Sequence, residues 1–231
     1  MLKKETLSLL NTEEINYKNI FSICIGKSNL FHTRFMDYIG EYDYWNTNLK
    51  EGILKLDEKS FNVEYIGTTD ISDNYWYSSE IERVIPDEYV NLMINTRKIM
   101  QSLNLNQLTE VKIPLTDEVN GYNLSMIYIA FAPENVSYFC GSGNTSIYMF
   151  VKQLPENIFK KINSIEFASR VMEIISTFNV NQKLMVKALL CENEIEYRVD
   201  KDNIIAKFNE NSILTINFNN NGVRISGNLS L

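Results

Sequence analysis

The sequence predicts an α+β protein: antiparallel strands packed by helices, followed by a C-terminal helical pair and a β-meander. Three observations predict it. An aromatic strand, Asn74-Tyr75-Trp76-Tyr77-Ser78-Ser79-Glu80, runs into a helix start at Ile85-Pro86-Asp87-Glu88. Apolar residues recur at helical spacing from Tyr89 to Leu103 and again from Ile165 to Ile175. The last third ends in short apolar runs separated by Asn, Asp and Gly, which suit tight turns.

Residues 1–40 read as one or two short helices or irregular structure. Phe31, Phe35, Tyr38 and Ile39 share a helical face, and Gly40 suits a left-handed stop. Ile53, Leu54 and Leu56 make a strand. A turn at Asp57-Glu58-Lys59-Ser60 follows, and Phe61, Val63 and Tyr65 then alternate as a second strand. Gly67-Thr68-Thr69-Asp70 is expected to break that run. Pro86 pre-sets the first turn of a helix, Asp87 and Glu88 favour its positive end, and Asn104 suits its stop.

The stretch from Tyr122 to Ala132 fits either strand alternation or a helix. Asn120-Gly121 before it and Pro133 after it suit the helix slightly better. A hairpin follows, with Val136–Cys140 and Ser146–Val151 flanking Gly-Ser-Gly-Asn. Asn181 is placed to cap a second C-terminal helix containing Leu184, Met185, Ala188 and Leu189. Strands over 194–199, 204–208 and 213–218, with a fourth over 223–229, form the meander. Pro155 divides a main domain, 1–155, from a subdomain, 156–231.

The chain has 231 residues, of which 45% are hydrophobic, so a core forms without staples. Its net charge of −7 argues against non-specific affinity for nucleic acid or anionic membrane. It is compatible with a basic partner. Cys24, Cys140 and Cys191 are odd in number and far apart, so neither a disulfide framework nor a zinc site is expected. Buried thiols in a reducing cytosol are the default. No stretch approaches the ~20 apolar residues of a membrane span, and no secretory signal follows Met1, so a cytoplasmic location is expected.

Each candidate site has a bland counterpart. Gly26-Lys27-Ser28 resembles the end of a phosphate loop, but Phe21 stands where that motif needs its first glycine. His32 is the only histidine, in a hydrophobic setting, and reads as a surface or satisfied core residue. Cys140-Gly141-Ser142-Gly143-Asn144 sets a thiol beside small residues with accessible amides, yet hairpin turns favour the same residues. Asp70, Asp73 and Asn74 offer oxygen ligands without the spacing of a calcium loop. Glu80 and Glu82 share a face if the aromatic strand continues, which would suit acid–base work. Trp45, Trp76 and Tyr77 could line a pocket or a partner surface, although Trp76 reads first as core. No cofactor and no metal are expected.

From about Tyr38 onward the chain resembles an uncharacterised bacterial family, a domain of unknown function. The resemblance rests on an ordered series: Trp45-Asn46-Thr47-Asn48-Leu49, Gly52-Ile53-Leu54, Gly67-Thr68-Thr69, Tyr75-Trp76-Tyr77, Ile85-Pro86, the aromatic hairpin, and Phe218-Asn219-Asn220-Asn221-Gly222-Val223-Arg224-Ile225. The family's Trp-x-Trp-x-Trp strand keeps only Trp76 here, and Asn48 stands where an acid is common. The resemblance implies a fold and no activity.

The leading expectation is a cytosolic protein-interaction module, an immunity or inhibitor protein that neutralises a basic toxin or effector. It rests on the acidic balance, the lack of a catalytic set and the aromatic-rich body. The runner-up is a small-molecule or nucleotide-signal binder using Trp45, Trp76 and the amides of Gly141, Ser142 and Asn144. The third is a carboxylate-dependent hydrolase using Glu80 and Glu82.

Overall fold

The computed structural model describes residues 1–70, 72–82, 84–142, 145–210, 212–219 and 222–228. In chain order the helices are α1 (Lys4–Ser8), α2 (Tyr17–Ile39), α3 (Asn91–Ser102), α4 (Gly121–Phe131), α5 (Ser164–Thr177) and α6 (Gln182–Glu192). The strands are β1 (Trp45–Asn48), β2 (Ile53–Leu56), β3 (Lys59–Asp70), β4 (Tyr75–Ser78), β5 (Lys112–Pro114), β6 (Ser137–Gly141), β7 (Thr145–Val151), β8 (Glu196–Asp200), β9 (Asn203–Asn209), β10 (Ser212–Asn219) and β11 (Gly222–Asn228). All pairings are antiparallel, so the protein is α+β as its sequence predicts.

Two compact units form. One holds Met1 and Ser28–Phe159; the other joins Leu2–Lys27 to Lys160–Leu231. A division at Pro155 leaves the first 27 residues with the main domain, whereas here α1 packs on α6 and residues 2–27 group with the C-terminal segment.

The first unit is built on a seven-stranded sheet with β3 at its centre, paired to β2, β4 and β7. One face carries a core cluster that includes Phe35, Leu54, Val63, Tyr65, Phe139 and Met149. The other face meets α3 and α4, where Trp76 stacks on Tyr128 with centroids 5.4 Å apart. Helix α4 is apolar on nearly every side, from Leu124 to Phe131, because it is buried all round. That explains its ambiguous periodicity. Asn120 caps it by accepting from the Asn123 N–H at 2.9 Å.

Several expectations are corrected here. The N-terminal 40 residues contain a 23-residue helix rather than only short ones, and Gly40, at φ +71, ends it. Gly26-Lys27-Ser28, already set aside as a phosphate loop because of Phe21, lies inside this helix. The expected break at Gly67 does not occur, since β3 runs on to Asp70. Glycine is needed there because a Cβ would stand 2.4 Å from Cζ2 of Trp76. The helix expected from Pro86 begins at Asn91, after a single tight turn at Asp87–Tyr89. The Leu92 N–H is then capped at 2.6 Å by Glu64, a side chain from β3 that local sequence could not supply.

The second unit contains α1, the first part of α2, α5, α6 and a meander in the order β11-β10-β9-β8. Ile204, Ala206, Leu214 and Ile216 are buried on one sheet face, and α5 contributes Phe167, Val171 and Ile174 to the core. Asn163 and Asn181 cap α5 and α6. Lys27 and Glu192 form a buried pair at 3.3 Å, and Glu192 also accepts the Lys3 N–H at 2.7 Å.

Candidate functional site

A cleft of 420 Å³ opens in the first unit. Its floor is the end of the core cluster, made by Tyr65, Ile85, Ile147 and Leu49. Its rim is polar and carries Thr68, Asp70, Asp73, Tyr77, Glu82 and Thr145.

A register shift builds this rim. Side chains on a strand alternate between faces, so Tyr65 should share its face with Gly67 and Thr69. Along β7, however, Met149 opposes Tyr65, Ile147 opposes Thr68 and Thr145 opposes Asp70. The shift between Tyr65 and Gly67 inserts one extra residue, which carries Thr68 and Asp70 to the Tyr65 face. Strand β4 then sets Tyr77 opposite Thr68, on that same face, while Trp76 turns to the other.

The rim carboxylates are held in place by neighbours. Asp70 accepts the amide and hydroxyl of Ser72 at 2.8 and 2.7 Å, and these bonds hold its carboxyl below the ordinary range. Asp73 accepts the Tyr77 hydroxyl and the Tyr75 amide. Glu82 accepts the Thr68 hydroxyl at 3.3 Å. Among the described residues none of the three forms an ion pair. At the floor, burial raises the Tyr65 hydroxyl, which is hydrogen-bonded to Thr47 at 2.8 Å.

Beside this rim the chain shows how such a wall treats a cation. The Lys112 ammonium lies 3.9 Å from the Tyr75 ring centroid and 4.9 Å from that of Tyr77. Its affinity for the proton is raised, chiefly by the Tyr77 hydroxyl and further by Asp73.

The residues singled out from sequence fall in several places. Tyr77 and Glu82 line the cleft. Trp76 is fully buried, and its indole N–H makes no hydrogen bond among the described residues. Trp45 is half-buried and lies on Gly141, where a Cβ would stand 2.2 Å from its ring; it also packs on Phe139. Gly141 ends β6 and Ser142 follows it, exposed, while Asn144 lies outside the described residues. The two tryptophans thus pack against different partners. The aromatic strand stops at Ser78, so the premise that Glu80 and Glu82 share a strand face fails. Glu80 instead pairs with Arg97 and accepts from Ser78, whereas Glu82 turns to the cleft.

His32 is partly buried, 3.2 Å from the Tyr138 carbonyl, and packs edge-on against the Tyr138 ring. Among the described residues no group of three His, Cys, Asp or Glu side chains is placed to hold a metal ion, and no helix is long and apolar enough to cross a membrane. Sequence reasoning missed Tyr65, Thr68 and Thr145 as cleft residues. Cross-strand alternation could have joined Thr68 to Tyr77, had the strand not been broken at Gly67.

Residues 18–154 match the model of a family described only as one of unknown function. No curated protein and no solved structure matches the chain.

Proposed function

We propose that this chain, which belongs to the family of unknown function DUF6882, is a cytosolic protein-interaction module whose acidic cleft receives a cationic side chain from a basic partner. The observation that carries the reading is the gathering of Asp70, Asp73 and Glu82, which form no ion pair among the described residues, around an apolar floor, with Tyr77 on the rim. A lysine or arginine entering it lays its aliphatic stem on Tyr65 and Ile147 and brings its charge to the carboxylates. The net charge of −7 steers a basic protein toward the chain before contact. The partner class that follows is a basic toxin or effector, and the protein acts on it as an immunity-type inhibitor.

The test is a tagged pull-down from the native cell with the natural chain and with Asp70→Asn/Asp73→Asn/Glu82→Gln. A basic protein held in stoichiometric amount by the first and released by the second, more weakly held as salt rises, supports the reading. A partner held equally by both, or none at all, overturns it.

A further inference from the structure

Strand β5 brings a lysine to the cleft face. Lys112 stands directly opposite Tyr77 of β4, and residues paired in this way share a sheet face. Tyr77 lies on the cleft face, so Lys112 lies there too, one strand outside the rim. Its backbone is fixed in the sheet, while its exposed side chain reaches over the aromatic strand. The ammonium rests against the rings of Tyr75 and Tyr77, whose centroids are 6.4 Å apart. It also hydrogen-bonds to the Tyr77 hydroxyl. An ammonium only donates, so the hydroxyl oxygen accepts there and gives its own proton to Asp73. Lys112, Tyr77 and Asp73 thus form one donor chain that ends on a rim carboxylate. Among the described residues Lys112 makes no direct ion pair. Tyr77 and Asp73 also line the cleft, so the groups that hold Lys112 are among those that a partner's cation meets.

We propose that Lys112 is a resident cation: it holds the outer seat of the cleft, and the lysine or arginine of a basic partner displaces it from Tyr77 and Asp73. The inference rests on the reading of the cleft as a receiver of cationic side chains. Two cations at one seat repel each other, so the incoming charge and Lys112 compete. Contacts between a cation and exposed rings favour the occupied seat by roughly two- to five-fold. That is enough to fill the seat in the free chain and too little to keep a partner out. Displacement needs no backbone movement, because the four-carbon stem of Lys112 carries the charge aside. The apparent affinity of any cation is lowered by the fraction of chains whose seat is held. Lys112 thereby sets a threshold. A lone cation gains little over Lys112, whereas a partner that also lays its stem on Tyr65 and Ile147 gains more.

Binding of a capped hexalysine peptide to the full chain is measured by calorimetry at low salt. Lys112→Gln is expected to tighten binding roughly five-fold over the natural chain. Lys112→Arg keeps a cation on the rings and should tighten it less. Lys98→Gln removes an equal charge from α3, on the opposite face of the sheet, and should leave the affinity near that of the natural chain. The Lys112 methylene beside the ammonium is followed by NMR. The two rings shift its resonance upfield in the free chain, and it should move to the ordinary lysine position as the peptide saturates. No binding to any of these chains, or binding that survives Asp70→Asn/Asp73→Asn/Glu82→Gln, overturns the cleft reading and this inference with it. Binding that needs the three carboxylates but is as tight in the natural chain as in Lys112→Gln overturns this inference alone. So does a Lys98→Gln gain equal to that of Lys112→Gln, or a Lys112 resonance that stays in place at saturation.

Discussion

Trp76 lies across Gly67 so closely that a Cβ on the glycine would stand 2.4 Å from Cζ2, and equally near the Tyr77 carbonyl oxygen. Backbone cannot move aside as a flexible side chain can. Gly67→Ala therefore overpacks this crossing and is expected to cost about 1–3 kcal/mol. Urea unfolding followed by tryptophan fluorescence checks it; an unchanged midpoint refutes it.

Glu64 joins three elements: it caps the Leu92 N–H, pairs with Lys152 at 2.5 Å, and sits on β3. Glu64→Ala strands a buried amide and is expected to cost about 1–3 kcal/mol. Glu64→Gln keeps an oxygen for Leu92 and should lose less. Thermal unfolding of both variants tests the order.

Asp70 stays ionised below the ordinary carboxylate range because Ser72 donates twice to it. Ser72→Ala removes the hydroxyl, and the Asp70 carboxyl should then titrate at higher pH than in the natural chain. Carboxyl-carbon NMR across an acid titration reads the shift directly.

In the second unit Glu194 is pushed down to about 2, first by Lys161 and then by Lys3. A lowered carboxylate contributes stability that is complete above its unfolded value. That contribution is lost as the pH falls from about 4.5 toward 2. The group is exposed, so salt should weaken the effect. Glu194→Gln should flatten this part of the stability–pH curve at low salt. A curve of the same slope in the variant would contradict the assignment.

Burial is the leading cause that raises all three thiols, most strongly for Cys24. Native protein at neutral pH should react slowly with a thiol reagent, Cys24 slowest, and quickly once unfolded. Mass spectrometry of timed labelling identifies each site; prompt labelling of Cys24 in the native state would refute its placement.

Much of the architecture could be read locally because it rests on local chemistry. Asn120, Asn163 and Asn181 cap helices, and Gly40 and Asn104 take positive φ at helix ends. Each of these depends on residues within a turn or two. What local pattern could not supply came from partners distant in sequence. Gly67 looks like a break until Trp76 is seen across it. Helix α3 begins at Asn91, late relative to Pro86, with Glu64 capping Leu92.

The cleft is the plainest case. Composition and charge determined that the protein would be acidic, and pattern determined an α+β fold with its helical pair and meander. Tyr77 and Glu82 were visible as candidates, but only the register of β3 against β7 sets Thr68 and Asp70 beside Tyr65. One extra residue in a strand reverses every side chain beyond it, and where that residue is absorbed depends on the neighbouring strand.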